Sequence, residues 1–173
     1  MYTDSQRTVI SISPRRKRRP LIAAAGSLAA LFALPHWFIV NRTPSSAPKG
    51  IYLRTTAALA RGKLVEVCLP HPVAVFAESR AYIRSAGRCG DNSEPLIKEI
   101  GGMPGDDVYV SPSAILAYDS GGRRMPDSVF GLHHVPAGQI WLSGSARNSF
   151  DSRYFSTVPI ENVQAVLVPL WTW

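Results

Sequence analysis

From about residue 50 onward the chain strings short apolar runs between turn residues, the pattern of a β domain. The runs are "KLVEVCLP" (63–70), "PLIKEIGG" (95–102), "DDVYVSPSAILAY" (106–118), "QIWLSG" (139–144) and "VQAVLVPLW" (163–171). Each is rich in Val, Ile, Leu and aromatic residues and bounded by Gly, Pro or Asp, so each predicts a strand. One stretch departs from this habit. In "PVAVFAESRAYIRSAG" (72–87), Val75, Phe76, Tyr82 and Ile83 share a face with the small Ser79, which predicts a helix ended by Gly87. "YDSGGRRMPDS" (118–128) predicts an exposed turn, and the adjacent His133 and His134 a loop.

Before these runs lies a different pattern. Pro20 to Val40 contains no Asp, Glu, Lys or Arg, and such a stretch is long enough to cross a hydrocarbon core of roughly 30 Å as a helix. Pro35 is placed to kink it and Trp37 suits the interface. Charge sharpens the picture. Residues 1–19 hold six Lys/Arg against one Asp, giving +5 of the formal +7. That excess beside an apolar run holds the N-terminus in the cytoplasm and sends the remainder across the membrane. It leaves nucleic-acid binding, the rival explanation of a basic chain, without support. Cleavage after "SSA" (45–47) would put Pro48 just past the scissile bond, and the run is longer than a signal-peptide core, so an uncleaved anchor is the better reading. The predicted organisation is a basic cytoplasmic tail (1–19), a transmembrane signal anchor (20–40) and a mainly β translocated domain with a short helix (41–173). The lipid bilayer is then a partner of the chain.

Cys68 and Cys89 both fall in the translocated part. In an oxidising compartment an isolated pair predicts a disulfide, closing a loop of about twenty residues worth roughly 3 kcal/mol; two buried thiols are the alternative. The histidines (His36, His71, His133, His134) have no metal-ligand spacing with them, so neither a metal nor another cofactor is called for.

Three patches carry chemistry. In "LIKEI", strand alternation puts Lys98 on the face of Leu96 and Ile100. There its amine is either at a rim in water or desolvated, and desolvation lowers a lysine pKa enough to make a general base. In "SGSARNSFDSRYF" (143–155), Ser149, Asp151 and Arg153 alternate. An extended chain would aim all three one way, to orient a neutral lysine or simply to form a polar turn. In "TPSSAPKGIY" (43–52), two prolines and Gly50 frame adjacent serines just past the apolar run.

Together these patches resemble the serine/lysine signal peptidases, and within them the conjugative-transfer, TraF-type branch. "NRTPSSAPKGIY" (41–52) is similar to that branch's N-x-T/S-x-S-x-P-x-G-x-Y serine box with one residue extra. "KEIGGMPGD" (98–106) sets a lysine four residues before the G-x-P-G-D turn, and "GSARNSFDSRYF" (144–155) is similar to the last box, G-D-N-x-x-S-x-D-S-R-Y. "VCLP", "GRCG", "PLIK" and the late "PLW" extend the likeness from Asn41 to the C-terminus. The resemblance implies a signal-peptidase-like β fold, a serine nucleophile, Lys98 as general base, and Ser149 and Asp151 supporting the lysine. Counting back from Pro48, Gly50 and Tyr52 selects Ser46. Counting forward from Asn41 selects Ser45, with Thr43 two residues earlier; Thr43 is also a candidate oxyanion donor. Glu99 stands where the family has a basic partner for Asp151, a role open to Arg153, and Ser145-Ala146 replace the usual Asp-Asn.

The implied activity is a membrane-anchored serine endopeptidase of the inner membrane, its catalytic domain periplasmic, acting on an exported, pilin-like protein with a membrane-associated segment. Hydrolysis and cyclisation are both compatible with it. A general type I signal peptidase and a non-catalytic tethered assembly factor are the alternatives.

Overall fold

The computed structural model describes residues 37–44 and 46–173. The basic tail, the apolar run up to His36, and Ser45 lie outside the described residues, and among those described no helix is long and apolar enough to cross a membrane. Trp37–Trp173 forms one compact unit.

Its frame is an antiparallel sheet of seven strands. In chain order these are β1 (Phe38–Asn41), β2 (Gly50–Thr55), β3 (Leu64–Val67) and β4 (Leu96–Gly102), followed after two further strands by β7 (Gln139–Ser143), β8 (Val158–Pro159) and β9 (Val163–Thr172). The spatial order is β1-β2-β9-β3-β4-β7-β8, so the last strand in sequence sits inside the sheet, between β2 and β3. The two other strands, β5 (Asp107–Val110) and β6 (Gly131–His134), pair as a separate ribbon. The nine-residue helix α1 (His71–Ser79) follows β3, and a single turn, α2 (Ser152–Phe155), follows β7.

The apolar runs at 64–67, 96–102, 139–143 and 163–172 are strands because their alternate residues fill two cores. Val65, Val67, Leu96, Ile100, Ile140 and Leu142 pack with Ala74 and Ala77 of α1 in the larger core. Ile97, Ala165 and Leu167 pack with Ala47 and Tyr52 on the other face. The alternation also buries Glu66, whose carboxylate meets Arg54 Nε at 2.5 Å, and a buried acid needs such a partner.

Several elements differ from the sequence expectation. Phe38–Val40, assigned to the end of the apolar span, belong to β1, whose register pairs Phe38 with Leu53 and Asn41 with Gly50. The 106–118 run is a strand only to Val110; Ser111 then caps a 3₁₀ turn at Pro112–Ala114. His133 and His134 lie in β6, where cross-strand pairing with Val108 and Asp107 overrides their low strand preference. The helix ends at Ser79, not Gly87, and its buried face is Ala74 and Ala77, with Val75 half exposed. Arg80 caps it and Ala81 takes φ +55°, turning the chain away. Gly87 serves the following loop, where a Cβ would lie 2.0 Å from the Ser93 carbonyl oxygen. That loop is stapled by the Cys68–Cys89 disulfide, S–S 2.09 Å.

Candidate active site

Lys98 is the centre of the site. It lies mid-strand in β4 on the face of Leu96 and Ile100, and only 2 % of it is exposed. Its Nζ donates to Ser46 Oγ at 3.0 Å and to Ser149 Oγ at 2.6 Å, so two hydroxyls from distant segments converge on one amine. Burial pulls the Lys98 pKa from 10.5 down to about 8, while the Asp151 charge opposes the fall and the Arg153 charge assists it.

Ser46 sits on the loop between β1 and β2, which is built by its own side chains. Buried Asn41 donates from Nδ2 to the carbonyls of Ala47 (2.8 Å), Pro48 (3.0 Å) and Thr43 (3.2 Å), and its Oδ1 accepts from Thr43 N at 3.1 Å. Tyr52 Oη adds a 2.6 Å bond to the Pro48 carbonyl. Asn41 and Tyr52 were missed as site residues by sequence reasoning, although both are fixed letters of the serine box. The Ser46 N–H donates to the Thr43 carbonyl at 3.3 Å and is thus engaged in the loop. The Thr43 side chain is exposed and shares a cleft of about 460 Å³ with Ser46.

The third segment follows β7. Ser149 is buried, its N–H closing a turn on the Ala146 carbonyl at 3.1 Å, and the neighbouring Phe150 packs its ring on Phe76, Tyr82 and Phe155 at 5.1–5.5 Å. Asp151 is fully buried and caps α2, accepting from Arg153 N at 3.2 Å and from Gly144 N at 2.7 Å. Because the chain turns helical at Ser152, Arg153 does not continue the alternation. It folds back, and its Nε and Nη2 reach Asp151 at 2.7 and 2.6 Å. Further bonds run from Arg153 to the carbonyls of Ala114 (2.6 Å) and Ala146 (2.8 Å). Burial would lower the Arg153 pKa, but the bond and charge of Asp151 outweigh it and hold the guanidinium above its ordinary value. At the Ser145-Ala146 departure, Ser145 Oγ donates to the Pro44 carbonyl at 3.1 Å and so ties this segment to the serine loop. Among the described residues no group of three or more His, Cys, Asp or Glu is placed to hold a metal ion.

A β domain that brings a serine hydroxyl to a buried lysine finds its class in the comparison with known families. The family described as signal peptidase, peptidase S26, matches residues 117–172, a span containing Ser149, Asp151 and Arg153 but neither Ser46 nor Lys98. That segment of the chain is similar to the signal peptidases. More of it is covered by individual relatives. The conjugal transfer protein TraF of Agrobacterium fabrum is 34% identical over 160 residues, 84% of this chain and 88% of its own. The plasmid transfer protein TraF of Escherichia coli is 28% identical over 92% of this chain and 99% of its own. Subunit 1 of the mitochondrial inner membrane protease of Saccharomyces cerevisiae is 34% identical over 45% of this chain and 42% of its own. The chain belongs to the TraF family of conjugal transfer proteins.

Proposed function

We propose that this protein is a membrane-anchored serine endopeptidase in which Ser46 is the nucleophile and Lys98 its general base. The observation that carries the reading is the 3.0 Å approach of Ser46 Oγ to the Nζ of a lysine that is 2 % exposed. In the neutral amine the bond runs the other way: the Ser46 O–H donates, and Nζ takes its proton as Oγ attacks the scissile carbonyl. The lysine then returns the proton to the leaving amine. An acyl-enzyme remains on Ser46 until water or an incoming amine releases it, giving a free or a cyclised product. Ser149 holds Nζ in line, and the Asp151–Arg153 pair fixes the backbone around Ser149. The Thr43 hydroxyl is the candidate donor to the oxyanion.

The substrate fits as an extended segment. β1 is the outer strand of the sheet, and Ile39, Val40 and Asn41 on it line the 460 Å³ cleft opposite Pro95, Leu96 and Ile97. A peptide entering there adds to the free edge of β1 and presents a carbonyl to Ser46. With the apolar run as anchor, the site lies at the periplasmic face of the inner membrane, suiting an exported, pilin-like transfer protein with a membrane-associated segment. Exposed Trp37, Leu170, Trp171 and Trp173 suit that interface as well.

The test is cleavage of a candidate prepilin in membranes by the wild type and by Ser46→Ala, Ser45→Ala and Lys98→Ala. The reading requires that Ser46→Ala and Lys98→Ala lose turnover while Ser45→Ala keeps it. Wild-type turnover by Lys98→Ala would sink the base assignment. Inactivity of Ser45→Ala alone would move the nucleophile by one residue.

A further inference from the structure

Strand alternation gives the neighbours Lys98 and Glu99 opposite faces of β4. Lys98 pairs with Val65, on the face of the larger core, whereas Glu99 pairs with Leu64, which in turn pairs with Leu167. Glu99, Leu64 and Leu167 thus stand abreast across β4, β3 and β9. They line a second cleft, of about 370 Å³, together with Ser46, Pro48 and Lys63. The large cleft along β1 has Ser46 alone in common with it, so the two meet at the nucleophile. A chain that reaches Ser46 through one of them leaves through the other.

Backbone bonds hold this second cleft in shape. The Gly62 N–H donates to the Ile100 carbonyl at 2.8 Å, and the Ile100 N–H donates to the Lys63 carbonyl at 2.9 Å. The turn that carries Lys63 is thereby tied to the strand that carries Glu99. The Ser145 N–H donates to the Ser46 carbonyl at 3.4 Å, which joins the serine loop to the segment after β7. Leu167 is buried, while Lys63 and Glu99 are exposed. Among the described residues neither the Glu99 carboxylate nor the Lys63 ammonium has a hydrogen-bond or ion-pair partner. An acceptor and a donor left open in one cleft match the amino end of a peptide, whose amine donates and whose first carbonyl accepts.

We propose that the second cleft binds the free amino terminus on the leaving side of the cut, its α-amine on the Glu99 carboxylate and its first carbonyl toward Lys63. The proposal rests on the peptidase reading and adds to it what biases the acyl-enzyme between water and an amine. When the scissile C–N bond breaks, the nitrogen takes the proton that Lys98 removed from Ser46 and departs as an amine. In water that amine becomes an ammonium, the charge that Glu99 attracts. An incoming amine retraces the same path. In its neutral form it adds to the ester carbonyl, a C–N bond forms, the C–Oγ bond breaks, and the amine's proton returns through Lys98 to Ser46 Oγ. An amine held in the cleft competes with water at a raised effective concentration. Glu99 binds and takes no proton in the step.

The experiment uses the full chain in detergent micelles and a fluorescently labelled penta-alanine amide, its amino terminus either free or acetylated. Affinities are read by fluorescence polarisation at low salt for the wild type, Glu99→Gln and Glu99→Lys. The wild type should bind the free form about threefold more tightly than the acetylated one, the size expected of an exposed ion pair. Glu99→Gln, a change of equal size at an exposed position, should bring the ratio to about one, and Glu99→Lys should invert it. The wild type and Glu99→Gln are then given a cleavable substrate with unlabelled penta-alanine amide in excess. The yield of amide-linked product relative to free acid should fall about twofold or more in Glu99→Gln. A binding ratio or a product ratio equal in the two proteins overturns the proposal. A Glu99-dependent binding ratio in a protein that cleaves nothing supports the amine site and counts against the peptidase reading. Cleavage without that binding ratio does the reverse.

Discussion

Replacing Lys98 by Met should make the pH dependence of stability reveal the state of the buried amine. In the folded protein the Lys98 pKa is lowered from 10.5 to about 8 by burial. Below pH 8 both folded and unfolded chains carry the proton, and the folded state bears the full cost of a buried ammonium. At about 1.36 kcal/mol per unit, that cost is on the order of 3 kcal/mol. Between pH 8 and 10.5 the unfolded chain binds a proton that the folded chain does not, so wild-type stability rises with pH across that window. Met has no such group. Lys98→Met also strips Ser46 and Ser149 of their partner, but that loss is similar at every pH and displaces the curve without changing its slope. Relative to the variant, the wild type should therefore gain about 2 kcal/mol between pH 7 and 9.5. This is roughly a 1 M change in urea midpoint difference at a slope of about 1–3 kcal/mol/M. The assay is urea unfolding of both proteins across that range. Wild-type turnover should follow the same group, rising about tenfold per pH unit below pH 8 and levelling above it. Stability curves that run parallel, or a turnover profile flat from pH 6 to 8, would refute the buried-amine argument.

Other outcomes follow from the geometry. Asn41→Ala removes the side chain that gathers three carbonyls of the serine loop, so turnover should fall 10-fold or more with its acidic limb still near pH 8. Its stability cost should be about 2–4 kcal/mol by urea unfolding, because the Ala47 and Pro48 carbonyls lose their partner. Ser149→Ala should lower kcat roughly 10–100-fold in steady-state assays and leave KM near the wild-type value, since it loosens Nζ and touches no peptide in the cleft. Cys68→Ser should cost about 3 kcal/mol by denaturant unfolding through release of the 21-residue loop.

The strands that read clearly in the sequence are those whose apolar alternation is settled by one core, as at Val65–Val67 and Ile140–Leu142. β2 did not read because "KGIYLRT" looks like the exit of a turn; its strand character comes from pairing with β1 and β9. The overlong helix failed for a tertiary reason: Ala81, Tyr82 and Ile83 keep apolar spacing, yet the disulfide loop and the Tyr82–Asp119 bond draw them out of line. At the site, Lys98 and its strand face were legible from Leu96 and Ile100, whereas its burial was not, because desolvation depends on what the 46 and 149 segments bring across. Arg153 was legible as a neighbour of Asp151 in sequence; that it reaches Asp151 by a helical turn was not. Asn41 stayed hidden because an asparagine at a strand end reads as a turn former until its carbonyl acceptors can be seen.

The position of β9 orders assembly in time. The serine segment belongs to β1 and β2 and the lysine to β4, and in the sheet these halves are joined through residues 163–172. As the chain is synthesised from its N-terminus, Ser46 and Lys98 are both made long before the strand that completes the ladder between them. A molecule halted before residue 163 carries Ser46 and Lys98 with no continuous sheet to bring them together. The meeting of Ser46 with Lys98 is thereby deferred until that strand is delivered.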